Sequence, residues 1–82
     1  MRHHYMTLCY RNNTEVTHKI NPQGRLEITF EEAVKGGFKT LVLLDNGNIV
    51  ENDGFNSAEV GYFQRFLTQC VGVMWEEARG NL

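Results

Sequence analysis

Apolar and polar residues alternate through most of the first 55 positions, and the pattern then changes to a helical period. The chain therefore reads as a series of strands feeding one long helix. The clearest strand signal is Lys39 to Phe55. There the run Leu41 to Leu44 meets Asn46-Gly47, and Ile49-Val50 follows. Asn-Gly between apolar runs predicts a hairpin with a type I′ turn, because that turn needs positive φ at both central residues. Leu44 then opposes Ile49, and Leu43 opposes Val50.

Upstream, Met6, Leu8 and Tyr10 alternate with Tyr5, Thr7 and Cys9, a strand with neither face cleanly polar. A turn at Asn12-Asn13 leads to a second strand with Val16, His18 and Ile20 on one side. In that register Cys9 opposes Val16 and Thr7 opposes His18. Asn21-Pro22-Gln23-Gly24 has the composition of a type I turn. Leu26, Ile28 and Phe30 then mark a third strand. Thr29 and Glu32 have the spacing of a capping box, which predicts a short helix over Ala33, Val34 and Lys35, closed by Gly36-Gly37. The competing reading carries the strand on through Ala33.

Asn52-Asp53-Gly54 is a turn, and Asn56 with Glu59 forms a second capping box. The final helix is predicted over Ser57 to Arg79, stopped by Gly80, a length of roughly 34 Å. Such a helix must span the domain, overhang it or break, and Gly72 is the expected break. Val60, Phe63, Leu67, Cys70, Val71, Met74 and Ala78 make its apolar stripe, with Gln64, Arg65, Thr68, Gln69, Glu76 and Arg79 on the polar arc. The predicted fold is a single α+β domain over residues 1–82. It has a mainly antiparallel sheet of about five short strands (two hairpins plus one strand), a short helix and a long C-terminal helix packed on the sheet.

Composition adds limits. A chain of 82 residues, 41% hydrophobic and 22% charged, is an ordinary globular domain with a small core. The net charge of −2 argues against a general affinity for nucleic acid or anionic membrane. Residues 1–30 nevertheless carry a balance of +2, four bases against two acids, and residues 31–82 one of −4, four bases against eight acids. The two halves are expected to attract each other, within one chain in preference to between subunits. No apolar run is long enough for a membrane span, and no h-region follows Arg2, so the expected compartment is the cytoplasm.

Catalytic, cofactor and metal signatures are not found. Cys9 and Cys70 lack the spacing of a zinc site or a disulfide scaffold. His3, His4 and His18 read as surface histidines, with no partner at ligand spacing. Asp45 to Gly54 looks like a calcium loop, but Ile49 and Val50 stand where an oxygen ligand and a glycine are required. Cys9 and His18 come out as diagonal neighbours at about 7–8 Å, too far apart for a nucleophile and its base. Cys9 is read as packed and His18 as exposed.

The runs 26–33 and 37–43, then Asp53 to Asn56 with Glu59, Val60, Tyr62 and Phe63, resemble a family of small uncharacterised bacterial proteins. These are of the kind encoded in Firmicutes genomes and their mobile elements. The resemblance implies no activity and no functional residue.

The residues themselves point to a non-enzymatic protein-interaction module. Tyr62, Phe66, Val73 and Trp75 flank the stripe that the sheet buries, as one surplus aromatic patch, and a homodimer is the expected way of covering it. Cover by Tyr5 and Tyr10 of the first hairpin is the intramolecular alternative. Two other function classes stay open. One is a nucleic-acid-associated accessory or regulatory protein contacting through the basic N-terminal hairpin. The other is a small ligand-binding or enzyme domain using Cys9 and His18.

Overall fold

The computed structural model describes residues 2–9 and 13–80. They form β1 (His3–Cys9), β2 (Asn13–Ile20), β3 (Leu26–Val34), β4 (Gly37–Leu44), β5 (Ile49–Asp53) and α1 (Ser57–Gly80). Each strand pairs antiparallel with the next, so the sheet is a meander in the order β1-β2-β3-β4-β5. The α+β expectation of an antiparallel sheet with a long helix on one face holds. The core lies between them. Val16 of β2, Leu26, Ile28 and Phe30 of β3, and Leu41 and Leu43 of β4 meet Val60, Phe63, Leu67, Met74 and Ala78 of α1. Phe30 stacks on Phe63 at 4.7 Å, and Phe55 closes the stack edge-on at 5.2 Å.

The predicted short helix is replaced by strand. Residues 30–34 continue β3, with Glu32 opposite Lys39, Ala33 opposite Phe38 and Val34 opposite Gly37. The inward alternation of Leu26, Ile28 and Phe30 extends to a buried Glu32, whose carboxylate meets Lys39 across the ladder. A paired ladder supplies hydrogen bonds along the whole segment, which outweighs a single capping box. Gly36, at φ 88, serves a tight β3–β4 turn and is no helix cap.

The β4–β5 turn also differs from type I′. Gly47 N donates to Leu44 O at 2.8 Å, and Leu44 N donates to Asn48 O at 2.9 Å. Gly47 has φ 89, whereas Asn46 does not take positive φ. The geometry is a type I turn over Asp45-Asn46 followed by a left-handed glycine bulge, a combination that also fits the twist of a hairpin. The longer loop and a bulge at Val42/Leu43 pair Leu43 with Ile49. The turn at Asn21-Pro22-Gln23-Gly24 follows the type I expectation, with Gly24 N donating to Asn21 O at 2.9 Å.

The first hairpin is shifted from its predicted register. Cys9 pairs with Asn13 and Thr7 with Glu15, and a bulge between His4 and Met6 then sets His3 opposite His18. Asn13 is thus the first residue of β2, while Asn12 lies outside the described residues. An odd register shift turns every side chain over. This one brings Leu8 to the helix side, opposite Thr14, and sends Cys9 outward. Burial of a leucine in place of Cys9 and Thr7 favours the observed register.

The second capping box forms as predicted. Asn56 Oδ1 accepts from Glu59 N at 2.9 Å, and Glu59 Oε1 accepts from Asn56 N at 3.0 Å. The helix then runs unbroken through Gly72, because buried Leu67, Met74 and Ala78 hold it on both sides of that residue. Its 24 residues, about 36 Å at 1.5 Å each, match the 35 Å long axis of the molecule.

Two glycines should respond in opposite directions. Gly54 has φ 104, and a Cβ there would stand 2.9 Å from Lys39 Cγ. Gly54→Ala is expected to cost about 1–3 kcal/mol. Gly72 has open space around its Cα, so Gly72→Ala should stabilise by about 0.5–1 kcal/mol. Urea unfolding midpoints of the two variants check both signs.

Candidate functional site

The sheet buries one stripe of α1 and leaves its flanks to be accounted for. Tyr62, Phe66, Gln69 and Val73 follow one another at intervals of four, three and four residues. At about 100° per residue they lie on one flank, within about 60° of one another. Trp75 lies about 140° round the helix from Tyr62, on the opposite flank. There its ring carries the Arg79 guanidinium at 5.2 Å. The four residues expected to form one patch therefore divide into three together and one apart.

Part of the patch is covered from within the chain. Tyr5 of β1 packs edge-on against Phe66 at 6.5 Å, and Phe66 meets Phe30 at 6.1 Å. Tyr62 stands edge-on to Phe63 at 5.6 Å. Tyr10, the other expected cover, lies outside the described residues. Val73 remains 49% exposed. The outer edges of Tyr62 and Phe66, with Arg65 and Gln69, line a shallow open depression of about 180 Å³. Arg65 folds back so that a guanidinium nitrogen would lie 3.4 Å from a Cβ on Gly61. Among the described residues, Arg65 and Glu76 have no ion-pair partner.

A second group gathers where α1 ends over β2. His18, expected at the surface, is only 1% exposed. Its Nε2 lies 3.5 Å from Glu77 Oε1, and its buried Nδ1 has no hydrogen-bond partner among the described residues. The rings of His3 and Tyr5 stand 5.8 and 6.2 Å away. Burial pushes the Tyr5 hydroxyl above its ordinary pKa, and a hydrogen bond to Cys70 and the negative fields of Cys70 and Glu77 add to the shift. Cys9 and His18, read as packed and exposed respectively, exchange places. Cys9 is exposed, with its Sγ donating to Asn13 Oδ1 at 3.1 Å. The signal for a buried His18 was present in its alternation with Val16 and Ile20.

A third group stands at the start of α1, and the sequence reading missed it. Lys39 Nζ lies 3.6 Å from both Glu32 Oε2 and Glu59 Oε2, two carboxylates buried beneath the helix N-terminus. The same ammonium sits over the Phe55 ring at 5.4 Å. Its position depended on the strand that replaced the expected short helix.

Among the described residues, no three of His, Cys, Asp and Glu converge so as to hold a metal ion. No helix described is long and apolar enough to cross a membrane. Among the described residues, Arg2, Lys19 and Arg25 of the first thirty are set against acids. Arg2 meets Glu31 at 3.4 Å, Lys19 meets Glu27 at 3.9 Å, and the Arg25 Nε donates to Asp45 at 3.1 Å. Two of these pairs join the basic first part of the chain to the acidic remainder. Comparison with protein-family models, curated proteins and solved structures finds no match.

Two measurements probe these groups. Tyr5 is held neutral in the folded state, whereas an unfolded tyrosine ionises near pH ~10. Its contribution to stability is therefore fully present below about pH 10 and is lost as pH rises beyond it. Tyr5→Phe should flatten this alkaline decline in urea midpoints between pH 9 and 11. An unchanged slope would show that Tyr5 is not its source. Lys39→Met removes the cation facing two buried carboxylates and should cost about 3 kcal/mol in the same assay.

Proposed function

We propose that the protein is a non-enzymatic, cytoplasmic protein-interaction module of bacterial type that self-associates through the flank of α1 bearing Tyr62, Phe66 and Val73. The observation that carries this reading is the exposure of Val73 in line with two half-buried aromatic rings and an open depression. An aliphatic side chain kept in water beside aromatic surface is an arrangement that association removes. The three lie on one regular helix, so they present a rigid surface with little entropy to lose on contact. The bacterial setting rests on the resemblance of residues 26–63 to small Firmicutes and mobile-element proteins. Trp75 is not part of this surface.

Sedimentation equilibrium at micromolar concentration tests the proposal. The expected species has twice the 9.5 kDa mass of the chain. Val73→Glu should convert it to monomer with an unchanged circular dichroism spectrum. Val73 is the position to change because Phe66 also packs on Phe30 and Tyr5 inside the fold. A wild-type chain that sediments as a monomer throughout would remove the proposal.

A further inference from the structure

The depression on α1 has a regular construction. Its four lining residues, Tyr62, Arg65, Phe66 and Gln69, occupy positions i, i+3, i+4 and i+7 of one helix. Four residues so spaced form the hole that receives one side chain from a facing helix in knobs-into-holes packing. The surface is thus shaped for another helix, and its charges indicate which one. Arg65, in the wall of the hole, is exposed and lacks an ion partner among the described residues. Two exposed acids border the same flank, of which Glu77 reaches His18 and Glu76 has no such partner among the described residues. Arg65 and Glu76 are three turns apart, with Gln69 and Val73 between them.

We propose that α1 packs antiparallel on α1 of a second copy about a two-fold axis, with Glu76 of each copy entering the depression of the other and pairing with Arg65. This rests on the self-association proposed above and specifies its geometry. Antiparallel packing reverses the sequence order, so one placement forms both Arg65–Glu76 pairs at once. The same placement sets Val73 of each copy beside Phe66 and Gln69 of the other, which covers the exposed aliphatic group. A parallel arrangement in register would bring Arg65 against Arg65 and Glu76 against Glu76. Other nearby charges leave the antiparallel placement open. Arg79 is turned to its own Trp75, and Glu77 faces His18. The hole can take an acid, since Arg65 and Gln69 both offer hydrogen-bond donors to a carboxylate while Tyr62 and Phe66 pack on its stem.

The test is a charge-exchange cycle on the full chain, read by sedimentation equilibrium at low ionic strength, with circular dichroism confirming the fold of each variant. Arg65→Glu and Glu76→Arg each replace two attractive pairs with two repulsive ones. Each should weaken the dimer about tenfold or more. The double variant Arg65→Glu/Glu76→Arg restores complementary pairs and should recover most of the loss. Added salt should narrow the differences among the four proteins. A wild-type dimer whose strength is unmoved by either single change, or is not recovered in the double variant, would overturn the antiparallel arrangement and leave self-association standing. A monomeric wild type would overturn both.

Discussion

The structure depends on one helix closing the core of a whole sheet. The five strands form a single layer, and α1 is the only other regular element described, so every apolar side chain on the inner face must find its cover along that helix. Its buried stripe supplies contact but little direction, because a row of aliphatic groups can slide or rotate at modest cost. Direction comes from polar anchors at both ends. Glu59, in the first turn, caps Asn56 and faces Lys39 of β4. Glu77, near the last turn, reaches His18 of β2. The helix therefore starts over β4 and finishes over β2, a diagonal that lets one helix serve strands on both sides of β3.

Both anchors place polar groups where water is excluded, so each is specific because its failure is costly. Lys39 faces two carboxylates and lies on Phe55, which fixes the chain entering α1. Gly54 supports the same junction, since any side chain there would displace the Lys39 stem. At the other end, His18 leaves one ring nitrogen unpartnered among the described residues, so that anchor is the less complete of the two. Stability of the helix C-terminal half depends correspondingly more on Met74 and Ala78, which lie on either side of Glu77 along the buried stripe.

The sequence was most informative where local chemistry alone decides the outcome. The Asn56–Glu59 box, the Asn21 to Gly24 turn, the β4–β5 hairpin and the buried stripe of α1 all follow from spacing within a few residues. It failed where a distant partner decided. Residues 30–34 carry a helix-start signature, and only the ladder with β4, including the Lys39–Glu32 contact, makes them strand. The register of β1 depends on which of Leu8 and Cys9 faces the helix, a choice settled by the tertiary core. The Asn-Gly signal correctly located its turn but not its type, because Asp45 shifted the turn by one residue. At the candidate surface, the helical period identified Tyr62, Phe66 and Val73. It also implied that Trp75 lies across the buried stripe from them, so the four do not form one patch.

The strand edges bear on the proposed association through a helix flank. An open sheet offers two edges with unpaired backbone groups, and these are the usual sites of uncontrolled pairing. Here both are altered. A bulge interrupts β1 between His4 and Met6, and another interrupts the β4–β5 ladder beside Val50. Glu51 and Asp53 charge the short β5 edge, and Arg2 and His4 lie at the other, each held against an acid of the sheet. Phe38 of β4, opposite Ala33, and Ile49 and Val50 of β5, beside Leu43, are well exposed, but they stand at opposite ends of the β4–β5 pair and do not join into one surface. The flank of α1 differs in kind. Its apolar groups are contiguous and rigidly spaced, and its charges are of both signs, so a second helix can satisfy it without opening any part of the fold.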